Sequence, residues 1–231
     1  MFDRIVLNIP HSSPTFPFGK ECWEDGVDEE ILRWTDWYTD WLFQSPDARV
    51  ISVSYPFSRF FCDVERLEDD PLESIGQGIV YTRFKTLKRS LSTQDESWAR
   101  RTYCEHIEHL RAHITDGRTL LLDCHSFPSD LSDVEVCIGF NDDWSRPSDE
   151  TIDTIISAFN REGYKIGINR PYSNSIAPTS RFAYKSVMIE LNKSTYMDDL
   201  VRMNVAKAGR IRKTINELYS YLLSLRDNQT A

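Results

Sequence analysis

The feature that most constrains this chain is an alternation: short apolar runs of strand length recur along it, separated by stretches of helical period. Arg4–Ile9, Arg49–Tyr55, Thr119–Cys124, Val134–Phe140, Lys165–Ile168 and Ser186–Leu191 read as strands. Asp28–Phe43, Asp95–Ile114, Pro147–Arg161 and Asp198–Leu225 read as helices. Ile31, Trp34, Tyr38, Trp41 and Leu42 share one face of the first, Ile152, Ile155, Ile156 and Phe159 one face of the third, and Ile211, Ile215, Leu218, Leu222 and Leu225 a stripe on the last. Strands joined through helices run mainly parallel. The expected fold is therefore α/β: a single domain over residues 1–231, with a mainly parallel mixed sheet flanked by helices on both faces. Arg59–Val64 is a further candidate strand. Pro71–Ser92, with Gly76 and Gly78, has no clear period and reads as a loop, as does the Pro-, Ser- and Asn-rich stretch from Ile168 to Arg181.

Charge and cysteine usage narrow the function classes. The net charge of −9 argues against nucleic acid, whose phosphates need a basic face. A small anionic substrate would have to be met by local arginines set against this acidic field. No apolar run approaches the roughly 18 residues of a membrane span. The N-terminus enters an apolar strand pattern directly, without the layout of a signal peptide. Cys22, Cys62, Cys104, Cys124 and Cys137 are odd in number and form no CxxC. A reducing cytoplasm is the expected setting.

In sheets of this kind ligands bind beyond the carboxyl ends of the strands. Two histidines stand there: His11 after Pro10, and His125 after Cys124. Imidazole suits Zn²⁺, and a catalytic zinc needs three protein ligands and an open position. No HExxH is present, so a third ligand must come from elsewhere. The carboxylates to consider are Asp36, Asp63, Asp123 and Glu190. Glu190 lies inside Val187-Met188-Ile189-Glu190-Leu191, where burial is costly unless the group is paired or functional. The alternative is an edge strand with Glu190 on its wet face. Arg59 and Arg66 flank Asp63, and Arg170 lies in Asn169-Arg170-Pro171. All three are candidates to grip a substrate carboxylate, or else to form surface ion pairs.

Other features read as structural. Trp34, Trp37, Trp41 and Tyr38 fit core packing. His106, His109 and His113, at i, i+3 and i+7 of a helix, fit a mixed surface better than a ligand row. Cys124 is expected to point away from His125, as strand neighbours do. Gly76-Gln77-Gly78 is too short for a phosphate loop.

Six segments in order resemble the N-formylglutamate amidohydrolase family: Ile9-Pro10-His11-Ser12-Ser13, Thr35-Asp36-Trp37, Ser58 to Arg66, Leu122-Asp123-Cys124-His125-Ser126, Asn169-Arg170-Pro171-Tyr172-Ser173, and Ile189-Glu190-Leu191-Asn192-Lys193-Ser194-Thr195-Tyr196-Met197. The resemblance implies a fold similar to zinc-dependent exopeptidases of the carboxypeptidase type. It implies zinc held by His11, His125 and a third ligand, with Asp36 preferred and Asp63 the fallback. It implies Glu190 as catalytic carboxylate and Arg66 as the clamp on the substrate carboxylate, with Asp63 orienting His11. Asp123 joins Asp63 as a supporting carboxylate, and Arg59 and Arg170 join Arg66 at the substrate. The implied reaction is hydrolysis of a small N-acyl, or N-formyl, amino acid. A carboxypeptidase, another N-acyl-amino-acid hydrolase or a non-catalytic binder on the same scaffold are the alternatives. Three departures stand out: Glu65 where the family usually has Asn, a replaced glycine around Asn174, and Pro14 in place of the glutamate of a His-x-x-Glu pair. On a continuous Asp28–Phe43 helix Asp36 would face water, so its role as ligand requires a distortion there.

Overall fold

A computed structural model describes residues 2–67, 70–115 and 117–224. Its elements are β1 (Arg4–Ile9), α1 (Val27–Trp34), α2 (Thr39–Phe43), β2 (Val50–Ser54), β3 (Arg83–Phe84), β4 (Leu87–Lys88), α3 (Thr93–His113), β5 (Thr119–Phe127), β6 (Val136–Gly139), α4 (Asp149–Arg161), β7 (Ile166–Ile168), β8 (Lys185–Asn192) and α5 (Val205–Ser224). Six strands form one sheet in the order β2-β1-β5-β8-β6-β7, and β3 and β4 form a separate hairpin. Every neighbouring pair in the main sheet is parallel except β6 and β8. The chain is thus α/β with a mainly parallel mixed sheet, and no described helix is long and apolar enough to cross a membrane.

Strand parity sorts the side chains onto two faces. On one face Ile5, Leu7 and Ile9, Leu120, Leu122 and Cys124, and Val187, Ile189 and Leu191 pack with Leu42 of α2, Ile155 of α4 and Ile211 and Leu218 of α5. On the other, Val6 and Leu121 pack with Tyr103, Ile107 and Leu110 of α3. Helices on both faces explain why all of β5 is buried and why Leu120, Leu121 and Leu122 follow one another without a polar break. Ser92 caps α3 by accepting from the Asp95 amide, and Ser148 caps α4 by accepting from Thr151. Towards the carboxyl end of β1, β5 and β8 the α3-covered face changes character: Asn8, then Asp123 and His125, then Glu190 replace hydrocarbon.

Four sequence expectations need correction. Asp28–Phe43 is two helices: Thr35 is extended, Tyr38 is left-handed with φ 65°, and α1 ends at Trp34. The Thr35 hydroxyl donates to the Ile31 carbonyl at 2.7 Å, and the Asp36 amide leaves the helix to donate to the His11 carbonyl at 2.9 Å. Those two bonds end α1 and turn Asp36 inward. Arg59–Val64 is a turn rather than a strand, because its amides bond back to Ser58 and across to Ile79 instead of to a neighbouring strand. Pro71–Ser92 is less irregular than expected, containing a 3-10 turn over Pro71–Ile75 and the β3–β4 hairpin. The last helix begins at Val205, after a 3-10 turn at Lys193–Thr195 and a bridge between Met197 and Met203. Leu225, expected at its end, lies outside the described residues.

Candidate active site

His11, Asp36 and His125 converge from three separate segments: the loop after β1, the break between α1 and α2, and the end of β5. The histidine ring centroids are 5.2 Å apart. One ligand atom from each of the three residues lies within 4.8 Å of the others. Asp36 Oδ2 is 3.3 Å from His125 Nδ1 and 3.8 Å from His11 Nδ1. Each ring's other nitrogen faces a carboxylate: His11 Nε2 lies 2.7 Å from Asp63 Oδ1, and His125 Nε2 3.0 Å from Asp123 Oδ1. The Asp63 and Asp123 carboxylates hold a proton on each Nε2, and the Nδ1 atom of each ring faces Asp36. His11 Nδ1 is buried and has no hydrogen-bond partner. Two imidazoles and a carboxylate are the donor set a catalytic zinc takes, so the residues present fit such an ion. Burial opposes charge on Asp36, but His11 and His125 overcome it and hold its carboxyl well below the usual range.

Asp63 is fully buried and saturated. Its Oδ1 accepts from His11 and from the Glu65 amide at 3.1 Å, while Oδ2 accepts from Arg59 at 3.0 Å and from the Tyr81 hydroxyl. Arg66 Nε lies 3.7 Å away. Burial opposes the Asp63 charge, and Arg59, His11 and Arg66 prevail, keeping the carboxyl well below its ordinary value. With both oxygens engaged by four donors, Asp63 orients His11 and is not itself in the ligand group.

Glu190 pairs in register with His125 across β5 and β8. Met188 lines the same cleft, while Val187 and Ile189 belong to the opposite core. Glu190 Oε2 is buried without a partner. Burial pushes this carboxyl up to about 8, against the opposing pull of His125. Cys124, one residue before His125, packs in the opposite apolar core, and burial raises its thiol well above the usual value.

A second group, Glu65, Asp123 and His125, brings ligand atoms equally close. There, however, Asn8 Nδ2 donates to Asp123 Oδ1 at 2.9 Å and to Glu65 Oε2 at 3.2 Å. The amide hydrogens occupy the oxygens a cation would need, so this group supports His125 instead. Burial, then the adjacent Asp123, pushes Glu65 up to about 7.

A cleft of about 610 Å³ opens over these residues. His11, Arg59, Arg66, His125 and Glu190 line it, with Asp123, Glu65 and Tyr81. Arg66 is tethered by Nε to the Gln77 carbonyl at 3.2 Å. Arg170 is not brought to this cleft: its guanidinium is 64% exposed and lies 3.7 Å from Asp133. It follows an Asn169 of φ 49° and begins a loop that turns Tyr172, not Arg170, towards the cleft. Trp34 reaches the cleft wall besides packing beside Phe60 and Tyr81, whereas Trp37, Tyr38 and Trp41 pack against the main core. His106 is not on a mixed surface: it is buried and bonded to Asn8, while His109 is exposed. Sequence reasoning missed Asn8 and Tyr81. A polar residue inside the apolar run of β1 was a usable signal for Asn8; the aperiodic Pro71–Ser92 stretch gave none for Tyr81.

The sequence profile of the N-formylglutamate amidohydrolase family matches residues 3–197. No curated protein sequence matches the chain. Among solved structures, N-formylglutamate amidohydrolase from Ralstonia eutropha is similar at TM-score 0.70 and 17% identity, covering 96% of this chain and 92% of that one. A gene product of Agrobacterium tumefaciens is similar at TM-score 0.69 and 15% identity, covering 96% and 91%. At such identities these likenesses speak for the fold.

Proposed function

The chain belongs to the N-formylglutamate amidohydrolase family, and from that premise we propose a zinc-dependent hydrolase that cleaves the amide of a small N-acyl amino acid, with N-formylglutamate the leading candidate. The carrying observation is the unpartnered, buried Glu190 oxygen in one cleft with His11 and His125, the two histidines that group with Asp36. His11, Asp36 and His125 would hold the ion, which would act as a Lewis acid on the amide carbonyl and make water a competent nucleophile near neutral pH.

Glu190 takes a proton from the attacking water as the new C–O bond forms, and passes it to the leaving amine as the C–N bond breaks. Its burial raises its basicity in the cleft, against the opposing pull of His125. Arg59, held by Asp63, stands at the wall where negative charge develops on the acyl oxygen. Arg66 offers its guanidinium to the substrate carboxylate, oriented by donation from Nε to the Gln77 carbonyl and from Nη2 to the Tyr81 hydroxyl. Asp63 and Asp123 hold the two histidines with their Nδ1 atoms inward.

Glu190→Gln tests the reading, because it keeps shape and removes the base. Zinc content should stay at the wild-type level while kcat on N-formylglutamate, or the best N-acyl amino acid of a panel, falls by about 10²–10⁴-fold. Wild-type turnover by a zinc-loaded Gln variant would make Glu190 structural and the mechanism wrong.

A further inference from the structure

A buried polar chain runs from α3 to the back of His125, and the proposed mechanism leaves its far end unused. His106 and Thr102 are the buried polar side chains on the apolar face of α3, and the His106 ring stands edge-to-face against Tyr55 at 5.5 Å. Its Nε2 lies 2.8 Å from Asn8 Oδ1. Asn8 is fully buried and sits beside Asp123 in the register of β1 and β5. Its Nδ2 donates to Asp123 Oδ1 and to Glu65 Oε2. Asp123 Oδ1 in turn faces His125 Nε2, and the Ile176 amide donates to Asp123 Oδ2 at 3.1 Å.

Donor bookkeeping fixes the direction of this chain. An Asn amide has two N–H donors and one carbonyl acceptor. Two carboxylate oxygens lie on one side of Asn8, so its NH₂ must face them and its Oδ1 must face His106. His106 then has to donate, which requires a proton on Nε2. Burial, then His109, drives the His106 ring down to about 3, so it does this as a neutral ring. A flipped Asn8 would set its oxygen against two carboxylates. Among the described residues, the group that rewards the working orientation from the other side is His106.

We propose that His106 and Asn8 are positioning residues for the metal centre: His106 selects the amide orientation of Asn8, and Asn8 holds Asp123 and Glu65 where they keep His125 turned with Nδ1 towards Asp36. The proposal rests on the metal-hydrolase reading for its readout and adds to it a support reaching to the helix above the sheet. Removing the His106 donor leaves Asn8 Oδ1 buried and unpaired. The amide then gains by moving, and Asp123 and Glu65 lose their shared donor. The damage arrives at His125 through its partner, as changes behind a metal-bound histidine do.

The test measures zinc affinity by chelator competition on the full chain, wild type against His106→Leu, His106→Gln and Ile107→Ala. His106→Leu should bind zinc about tenfold more weakly, the lower end of the range for such support. His106→Gln, whose amide can donate to Asn8, should recover most of that loss. Ile107→Ala, a neighbouring buried apolar position on α3, should lower the melting temperature without changing zinc affinity. Wild-type affinity in His106→Leu, or equal weakness in the Leu and Gln variants, overturns the proposal. A wild-type chain without zinc would overturn the hydrolase reading instead, and a second measurement needs no metal. The nitrogen-15 signals of the His106 ring in the metal-free chain should show a neutral ring protonated at Nε2. The Nδ1-protonated form would break the chain and refute the assignment.

Discussion

Replacing Asp63 with Asn should cost this protein both stability and metal, and the amounts can be worked from its contacts. Asp63 accepts from His11 and the Glu65 amide on one oxygen, and from Arg59 and Tyr81 on the other. An Asn side chain keeps one oxygen and turns the other into a donor. Whichever way it sits, two donors face an NH₂ group in a fully buried place. Two lost bonds, at roughly 1.5–3 kcal/mol each where a charged partner is involved, give about 3–6 kcal/mol. The general cost of breaking a buried ion pair, about 3–5 kcal/mol, is consistent. For a chain of this size that is a fall of about 6–24 °C in Tm. The pH dependence supplies a sign. A carboxyl depressed in the folded state contributes stability that is complete above its unfolded value, near 3.9, and is lost as pH falls from there through the folded value. The gap in Tm between wild type and Asp63→Asn should therefore be full at pH 6 and shrink below about pH 4. Zinc affinity should also drop by about 10–100-fold, since His11 loses its anchor. Calorimetric melts across that pH range and a chelator titration read both. A variant melting within a degree or two of wild type at neutral pH would refute the contact argument.

Three further outcomes follow from the same geometry. Asp36→Ala should leave the dialysed protein with far less than one zinc per chain by elemental analysis; full occupancy would remove Asp36 from the ligand set. Arg66→Lys keeps the charge and loses the fork, so KM for the N-acyl amino acid should rise by roughly 10–100-fold while kcat moves less, the worth of a charge-assisted bond. Steady-state kinetics showing the reverse split would place Arg66 at the reacting atoms. Cys124→Ala should cost about 1 kcal/mol in a denaturant melt and leave zinc content and turnover unchanged, because the thiol packs on the opposite face of the sheet. Loss of turnover with zinc bound would point to the thiol as a nucleophile.

The parts of this architecture visible in the sequence are those governed by local periodicity. β1, β5 and β8 stand within a few residues of their expected bounds, because strands buried on both faces write themselves as apolar runs. Glu190 and Asn8 are legible for the complementary reason: each interrupts such a run with a polar group. Asp36 is not placed by periodicity, since the apolar spacing of Ile31 to Leu42 continues through a break that depends on bonds to the Ile31 and His11 carbonyls. Arg170 and Arg66 look alike in sequence, yet one is exposed and the other lines the cleft. What separates them is tertiary: Arg66 is held by Asp63, the Gln77 carbonyl and Tyr81, whereas the loop that Arg170 begins turns Tyr172 to the cleft. His106 is hidden in the same way, because a histidine row on a helix does not announce which turn faces the sheet.

The place of β8 in the sheet bears on how the chain must be made. β8 is the last strand in sequence, yet it lies between β5 and β6 and hydrogen-bonds to both. During synthesis the ribosome releases β5 and β6 well before residue 185, and until then each presents a bare edge. Such edges invite pairing with other chains. The antiparallel junction of β6 with β8 cannot close beforehand, and Glu190 is delivered by that same late insertion. A nascent or truncated chain ending before Lys185 is consequently a species for chaperones, with two open edges and without Glu190. Completion of the sheet and completion of the active site are one event.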